Sequence, residues 1–266
     1  MMLPMDYHLH TRFSPDSGSE PEAVCRRAVE LGMREICFTD HFDLNEHELA
    51  CRDFDIAAYL AEIERCRVLF AGELTVLNGL EIGEPHLYQS GLRAALQGHS
   101  FDYLLGSIHW VGDNLLGPQY LAKRNFTSAC REYLAQVYAT ALVGPYHCLG
   151  HLDMVKRHST SFYGKRFLYA DFQGEVELIL QALITTGRGF EVNTSGWRQG
   201  VAEPYPGLAV LKRYREMGGE MITLGSDSHT LAEQGSGLEL GLELIKAAGF
   251  RSVTTFRQGK PYWLDI

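Results

Sequence analysis

Three things are scarce in this chain of 266 residues: paired cysteines, runs of positive charge and long apolar stretches. The six cysteines, at 25, 37, 51, 66, 130 and 148, include no Cys-x-x-Cys spacing, which excludes a zinc ribbon or a redox pair of that type and reads as reduced, mostly buried thiols. No dense basic run occurs and the formal charge is −9, so non-specific binding to nucleic acid is not expected, although a local basic pocket is still allowed. No uninterrupted apolar segment approaches the roughly 20 residues needed to span a bilayer. Met1-Met2-Leu3-Pro4-Met5 lacks the charged and then apolar regions of a secretory leader, and a cytoplasmic location is expected. Internal repeats, low-complexity tracts and linkers are missing too. The 45% hydrophobic and 21% charged residues suit one globular domain over 1–266.

What is present is an alternation of short β-type runs with amphipathic helical runs, the pattern of a parallel α/β sheet. Strands are expected at 5–8, 35–39, 75–80, 103–108, 148–150, 189–193, 221–225 and 252–256, and about eight of them suggests a closed barrel. Helices are expected at 22–31, 56–70, 128–142, 175–186, 207–217 and 238–248. Ser19 is a candidate N-cap, Pro21 suits a first turn and Gly32 closes the first helix. The irregular piece 110–125 carries Gly112, Gly117 and Pro118 and is expected to be a loop covering a site.

The strand ends carry the chemistry. His8-Leu9-His10 places two imidazoles on one side of a strand, because residues i and i+2 face the same way. Later strands run into Asp40-His41, Glu81, His109, His151, Asn193 and then Asp227-Ser228-His229, while Asp16 follows the first. In a parallel barrel the C-terminal ends of the strands are where active sites are built. Nine of these residues, His8, His10, Asp16, His41, Glu81, His109, His151, Asp227 and His229, bind divalent metals through nitrogen and oxygen. Nine ligands exceed one coordination shell and suit two or three ions. His47, His86, His99, His147 and His158 show no repeated spacing and read as solvent-facing or structural.

The ordered set His-x-His-Thr, Ser-Pro-Asp, Thr-Asp-His, Gly-Leu-Glu, Ser-Ile-His, Gly-His-Leu-Asp, Glu-Val-Asn and Gly-Ser-Asp-Ser-His resembles the polymerase and histidinol phosphatase (PHP) family of metal-dependent phosphoesterases. It runs from Asp6 to His229. Asp16 and the stretches around His10–Ser17 and Asp40–Asp43 most resemble the monofunctional histidinol-phosphate phosphatases. The resemblance implies a distorted (β/α)7 barrel, a trinuclear centre of zinc, manganese or iron, and hydrolysis of L-histidinol phosphate to histidinol and phosphate in histidine biosynthesis. It further implies one ion on His8, His10, Glu81 and Asp227, a second on Glu81, His109 and His151, and a third on Asp16, His41 and His229.

Such a site hydrolyses a phosphate ester with a metal-bridged hydroxide as nucleophile. Arg157 and Arg198, beyond strand ends, are candidate phosphate ligands, with Arg12 and Lys156 as lesser ones. Asn193 is a candidate donor to substrate. His229, Asp227 and Arg157 are the candidate catalytic residues, His229 or a metal-bound water protonating the leaving group. Asp43, Glu46 and Asp113 are candidates for the substrate's cationic end, and Trp110 and Trp197 for stacking or rim packing. Three other readings stand beside this one. They are a relative acting on another small phosphate ester or nucleotide, an amidohydrolase-type C–N hydrolase, which would present a bridging lysine where Glu81 stands, and a non-catalytic metal-binding regulatory module.

Overall fold

The run Met5–Leu9 is buried at every position, as a strand covered on both faces must be. It begins the barrel of a computed structural model that describes residues 5–48 and 53–266. In chain order the strands are β1 (Met5–Leu9), β2 (Glu35–Phe38), β3 (His41–Phe42), β4 (Thr75–Gly83), β5 (Tyr103–Ser107), β6 (Trp110–Val111), β7 (Asn114–Leu115), β8 (Cys148–Leu149), β9 (Gly189–Asn193), β10 (Ile222–Gly225), β11 (Ser252–Arg257) and β12 (Lys260–Asp265). Seven of them form a parallel sheet in the order β1-β2-β4-β5-β8-β9-β10. β3 pairs with the far half of β4 and sets His41 directly opposite Glu81.

The sheet nearly closes on itself. Beyond β10 the backbone N–H of Asp227 donates to His8 O (2.8 Å), and that of His10 donates to Ser228 O (2.9 Å). Behind this seam the buried Asp6 carboxylate accepts the Ser226 N–H at 2.8 Å and hydroxyl at 2.6 Å. Burial, only partly offset by those bonds, raises its pKa to about 6.

The eighth expected strand forms, but its place in the barrel is corrected by this closure. β10 already meets β1, so no stave position is left, and β11 pairs antiparallel with β12 instead. Its Phe256 N–H donates to the Tyr7 hydroxyl at 3.0 Å, Tyr7 in turn donates to Glu35, and Arg257 pairs with Glu35. The hairpin therefore caps the end of the barrel opposite the histidines.

The helices are α1 (Pro21–Glu30), α2 (Ile56–Leu69), α3 (Gln89–Leu96), α4 (Pro118–Leu121), α5 (Phe126–Leu142), α6 (Lys156–Tyr163), α7 (Gln173–Thr186), α8 (Ser195–Arg198), α9 (Leu208–Glu216) and α10 (Leu238–Ala247). Asp55 caps α2 by accepting the Ala58 N–H at 3.0 Å, and Asn125 caps α5 by accepting that of Ser128 at 2.9 Å. The cap expected at Ser19 is corrected: Glu20 holds that position with no side-chain cap, while Pro21 opens the helix. Gly32, at φ +70°, supplies the left-handed turn that ends it. The 110–125 piece folds as the β6–β7 hairpin followed by α4. Cys25, Cys37, Cys66, Cys130 and Cys148 are free and buried, and Cys51 lies outside the described residues. No helix of the described residues is long and apolar enough to cross a membrane.

His147, expected to be structural or solvent-facing, is a structural residue between layers. Its Nδ1 accepts the Leu104 N–H at 2.8 Å, and its ring stacks on Tyr103 and Phe256. An accepting nitrogen must be unprotonated. Burial, then the nearby Arg188, lowers the pKa to about 4. A lowered histidine pKa means stability that is present above the unfolded value of about 6.5 and is lost as pH falls from there toward 4. Between pH 7.5 and pH 5 the protein is expected to lose about 1–2 kcal/mol more stability than a His147→Asn variant, which keeps an acceptor and cannot titrate. Urea denaturation at the two pH values measures this, and equal losses would refute it.

Candidate metal centre

Glu81 emerges from β4 with both carboxylate oxygens facing imidazoles. Oε2 lies 3.3 Å from His8 Nε2, 3.5 Å from His10 Nε2 and 3.0 Å from His41 Nδ1. Oε1 lies 3.3 Å from His109 Nε2 and 2.9 Å from His151 Nε2, and accepts the Ser107 hydroxyl at 2.6 Å. Asp227 Oδ1 is 3.6 Å from Nε2 of both His8 and His10. At the rim, Asp16 Oδ2 stands 3.1 Å from His229 Nε2 and 3.6 Å from His41 Nε2. All nine sequence-expected residues thus meet at the C-terminal end of the barrel. Eight of them fall into overlapping groups able to hold an ion, His8, His10 and Asp227; His41, Glu81 and His109; and His10, Asp16, His41 and His229, while His151 stands against Glu81 Oε1 outside these groups. His41 is shared between Glu81 and the rim, which the implied three-way division did not include.

Local backbone chemistry makes the convergence. His-x-His on β1 turns both rings inward. After β10 the chain enters the left-handed region at Asp227 (φ +54°), a conformation that aspartate tolerates better than most residues. Gly225 just before it is required, because a Cβ there would collide with the Glu191 carboxylate and His8.

Behind the imidazoles stand residues the sequence reading did not single out. Ser14 Oγ donates to Asp40 Oδ1 (2.7 Å) and accepts from His41 N–H (3.0 Å). With its one proton used, it can only accept from His10 Nδ1, 3.0 Å away. Glu191 Oε1 takes the His8 Nδ1–H at 2.8 Å, while Oε2 accepts the His151 N–H and the Asn193 amide, each at 3.1 Å. With both Nδ1 atoms donating, the rings in their neutral forms turn lone pairs toward one another from Nε2 atoms 3.0 Å apart. Such an arrangement calls for a cation between them.

The electrostatics repeat that demand. Burial would raise Glu81 and Asp227, yet the surrounding histidines, His8 foremost, hold both carboxyls well below the usual range. Burial would lower His8, but Glu191, Glu81 and Asp227 raise it well above an ordinary histidine, and His109 is drawn up to about 9 by Glu81 against its own burial. His10 goes the other way, to about 3, through burial and its neighbours His41 and His229. His151 Nδ1 is buried without a hydrogen-bond partner. Anions that stay charged, imidazoles pulled toward protonation and lone pairs left facing each other fit divalent cations well.

A cavity of about 840 Å³ opens over the cluster. Arg157 lines it, and its guanidinium forms no hydrogen bond or ion pair among the described residues. Arg198 also lines it, but its guanidinium donates to Ser226 O at 2.6 Å and to Asp227 O, and lies 3.5 Å from Glu233, which accepts the His229 N–H. Asn193 is corrected. It is fully buried, its Oδ1 accepting from the Ser195 N–H and hydroxyl and its Nδ2 donating to Glu191 and Asp227, so it braces Asp227 rather than meeting substrate. Lys156 is corrected likewise, being 2% exposed and ion-paired inside. Arg12 pairs with Glu20 away from the cavity. Of the three acids considered for a cationic substrate group, Asp43 lines the cavity, whereas Asp113 and Glu46 are exposed outside it. Glu48, which the sequence reading passed over, lines it too and accepts the Trp110 Nε1–H at 3.3 Å. His158 proves to be a wall residue.

A parallel barrel with a buried histidine–carboxylate cluster under a cavity at the C-terminal ends of its strands defines a metal-dependent hydrolase. The chain belongs to the PHP domain family, whose profile matches residues 6–195. It is 30% identical over 260 residues to the histidinol-phosphatase of Lactococcus lactis subsp. lactis, covering 96% of this chain and 95% of that one. It is also 30% identical over 268 residues to a probable histidinol-phosphatase of Deinococcus radiodurans, with 96% and 97% covered. The crystal structure of the Lactococcus lactis histidinol phosphate phosphatase, complexed with zinc, L-histidinol and phosphate, superposes with a TM-score of 0.89 at 27% identity over 98% of this chain and all of that one.

Glu191 gives a test of the supporting layer. A glutamine there presents an N–H to one of the donors that the carboxylate now receives. Glu191→Gln is expected to weaken divalent-metal affinity about 10–100-fold, as loss of such supporting partners does. Competition with a chelator would measure it, and unchanged affinity would remove Glu191 from this role.

Proposed function

We propose that the protein is a histidinol-phosphatase, hydrolysing L-histidinol phosphate to L-histidinol and phosphate. The observation that carries this is the near-complete superposition on a relative whose structure holds zinc, histidinol and phosphate, together with the converging cluster under the cavity. We further propose that residues 1–266 act as one catalytic unit, since Asp227 and His229 come from beyond the end of the family match.

His8, His10, Asp16, His41, Glu81, His109, His151, Asp227 and His229 would hold two or three divalent ions, of zinc, manganese or iron. Ions so held supply a water of lowered pKa and offset the charge that builds on the phosphoryl oxygens. The protein's own groups do the rest. Arg157, whose guanidinium has no partner among the described residues, binds two phosphoryl oxygens with its fork. Arg198, anchored on the Ser226 and Asp227 carbonyls, holds the Asp227–His229 backbone and turns its remaining donors toward the same anion. Asp227 Oδ2 is fixed by Ser195 and Asn193, so Oδ1 is the oxygen presented to the cluster, placed to accept the proton lost by the attacking water. His229, the most exposed imidazole of the set, borders the cavity, and a water held beside it by the ions would return a proton to the leaving alkoxide. Asp43 and Glu48 line the same cavity as Arg157 and Arg198 and supply the acidic groups for the ammonium and imidazole of the amino alcohol.

This assignment predicts selectivity. With metal-loaded protein, kcat/KM for L-histidinol phosphate is expected to exceed that for an aryl phosphate and a nucleoside monophosphate by about 100-fold, or about 2.7 kcal/mol of transition-state binding. Comparable rates on all three would keep the phosphoesterase and reject the substrate. His8→Ala is expected to abolish turnover in a folded protein, and retained turnover would reject the cluster as the catalytic centre.

A further inference from the structure

Lys156 and Arg157 are adjacent, and the structure separates them completely. Arg157 projects into the cavity with nothing among the described residues bonded to its guanidinium, so only the backbone beneath it fixes its position. That backbone rises from His151 through a chain of turn bonds. Met154 N–H donates to His151 O at 2.9 Å, Lys156 N–H to Asp153 O at 3.0 Å and Arg157 N–H to Met154 O at 2.9 Å. At the start of α6, Val155 provides no side-chain cap.

What ties this segment down is the lysine. Its buried ammonium reaches Asp153 Oδ2 at 2.8 Å, Glu203 Oε1 at 3.0 Å and Pro204 O at 3.1 Å, three acceptors for its three donors. The 203–205 turn it grips is itself pinned to β9, since Tyr205 and Asn193 exchange both backbone hydrogen bonds at 2.9 Å. The path therefore runs from a strand of the barrel through Glu203 and Lys156 to the residue that carries Arg157.

We propose that Lys156 is a positioning residue for phosphate binding: by joining Asp153 to the Glu203 turn it holds Arg157 over the cluster. This rests on the reading of Arg157 as a phosphate ligand, and the test separates the two. Inorganic phosphate is used as a competitive inhibitor of the metal-loaded full-length enzyme, with Lys156→Met, Arg157→Ala and the double variant compared at equal metal content. Arg157→Ala alone is expected to raise the phosphate Ki at least about tenfold, as loss of a charge-assisted bidentate contact should. Lys156→Met is expected to raise it about tenfold with kcat changed less than about threefold, and to add less than about twofold once Arg157 is gone, the non-additivity of residues acting through one another.

Should Lys156→Met fail to fold, Glu203→Gln serves in its place. It leaves the Asp153–Lys156 pair intact and weakens only the tie to the turn, with an expected rise of about threefold that again vanishes in the Arg157→Ala background. An unchanged Ki in a folded Lys156→Met or Glu203→Gln protein overturns the positioning role, as does an effect that persists without Arg157. An Arg157→Ala protein with normal phosphate affinity rejects the arginine as ligand, and the positioning role falls with it.

Discussion

A buried carboxylate surrounded by ring nitrogens is the constraint on which the rest of this structure depends. Glu81 is 1% exposed, and burial by itself would drive a proton onto it. Instead five imidazoles, those of His8, His10, His41, His109 and His151, stand within 3.5 Å of its two oxygens. Crowding so many basic nitrogens around one anion is unfavourable unless each ring is held in one orientation and one tautomer. The barrel supplies the orientation, because successive parallel strands end side by side and each need deliver only one or two groups.

The tautomers come from a layer behind. Asp40 and Glu191 stand beyond the rings, the first working through Ser14 and the second directly, and both also bind backbone N–H groups of the strand ends. Each carboxylate thus couples a ring's proton to the position of the main chain. Asn193 and Ser195 act similarly on Asp227. The precision of the cluster is a property of this layer at least as much as of the nine side chains themselves.

The strands and the nine converging residues were legible in the sequence because strand periodicity is exact: His-x-His can only face one way. Two-residue strands such as β3 and the β6–β7 hairpin gave no such period. The eighth strand looked like the others locally, and only closure of β10 on β1, a long-range event, denied it a place in the barrel. Lys156 and Arg157 look alike in sequence, yet neighbouring helical positions point about 100° apart, one into the protein and one into the cavity. Asn193 shows the same limit: a polar residue at a strand end reads as a substrate contact until its amide is found to be fully engaged with Glu191, Ser195 and Asp227.

The seam between β10 and β1 also joins the two ends of the site along the chain. Asp227 and His229 sit on the segment that closes the barrel, and they are the last of the nine to be translated. The other seven all come from the stretch between His8 and His151, so a product truncated before β10 would lack both the closing strand and two of the nine groups.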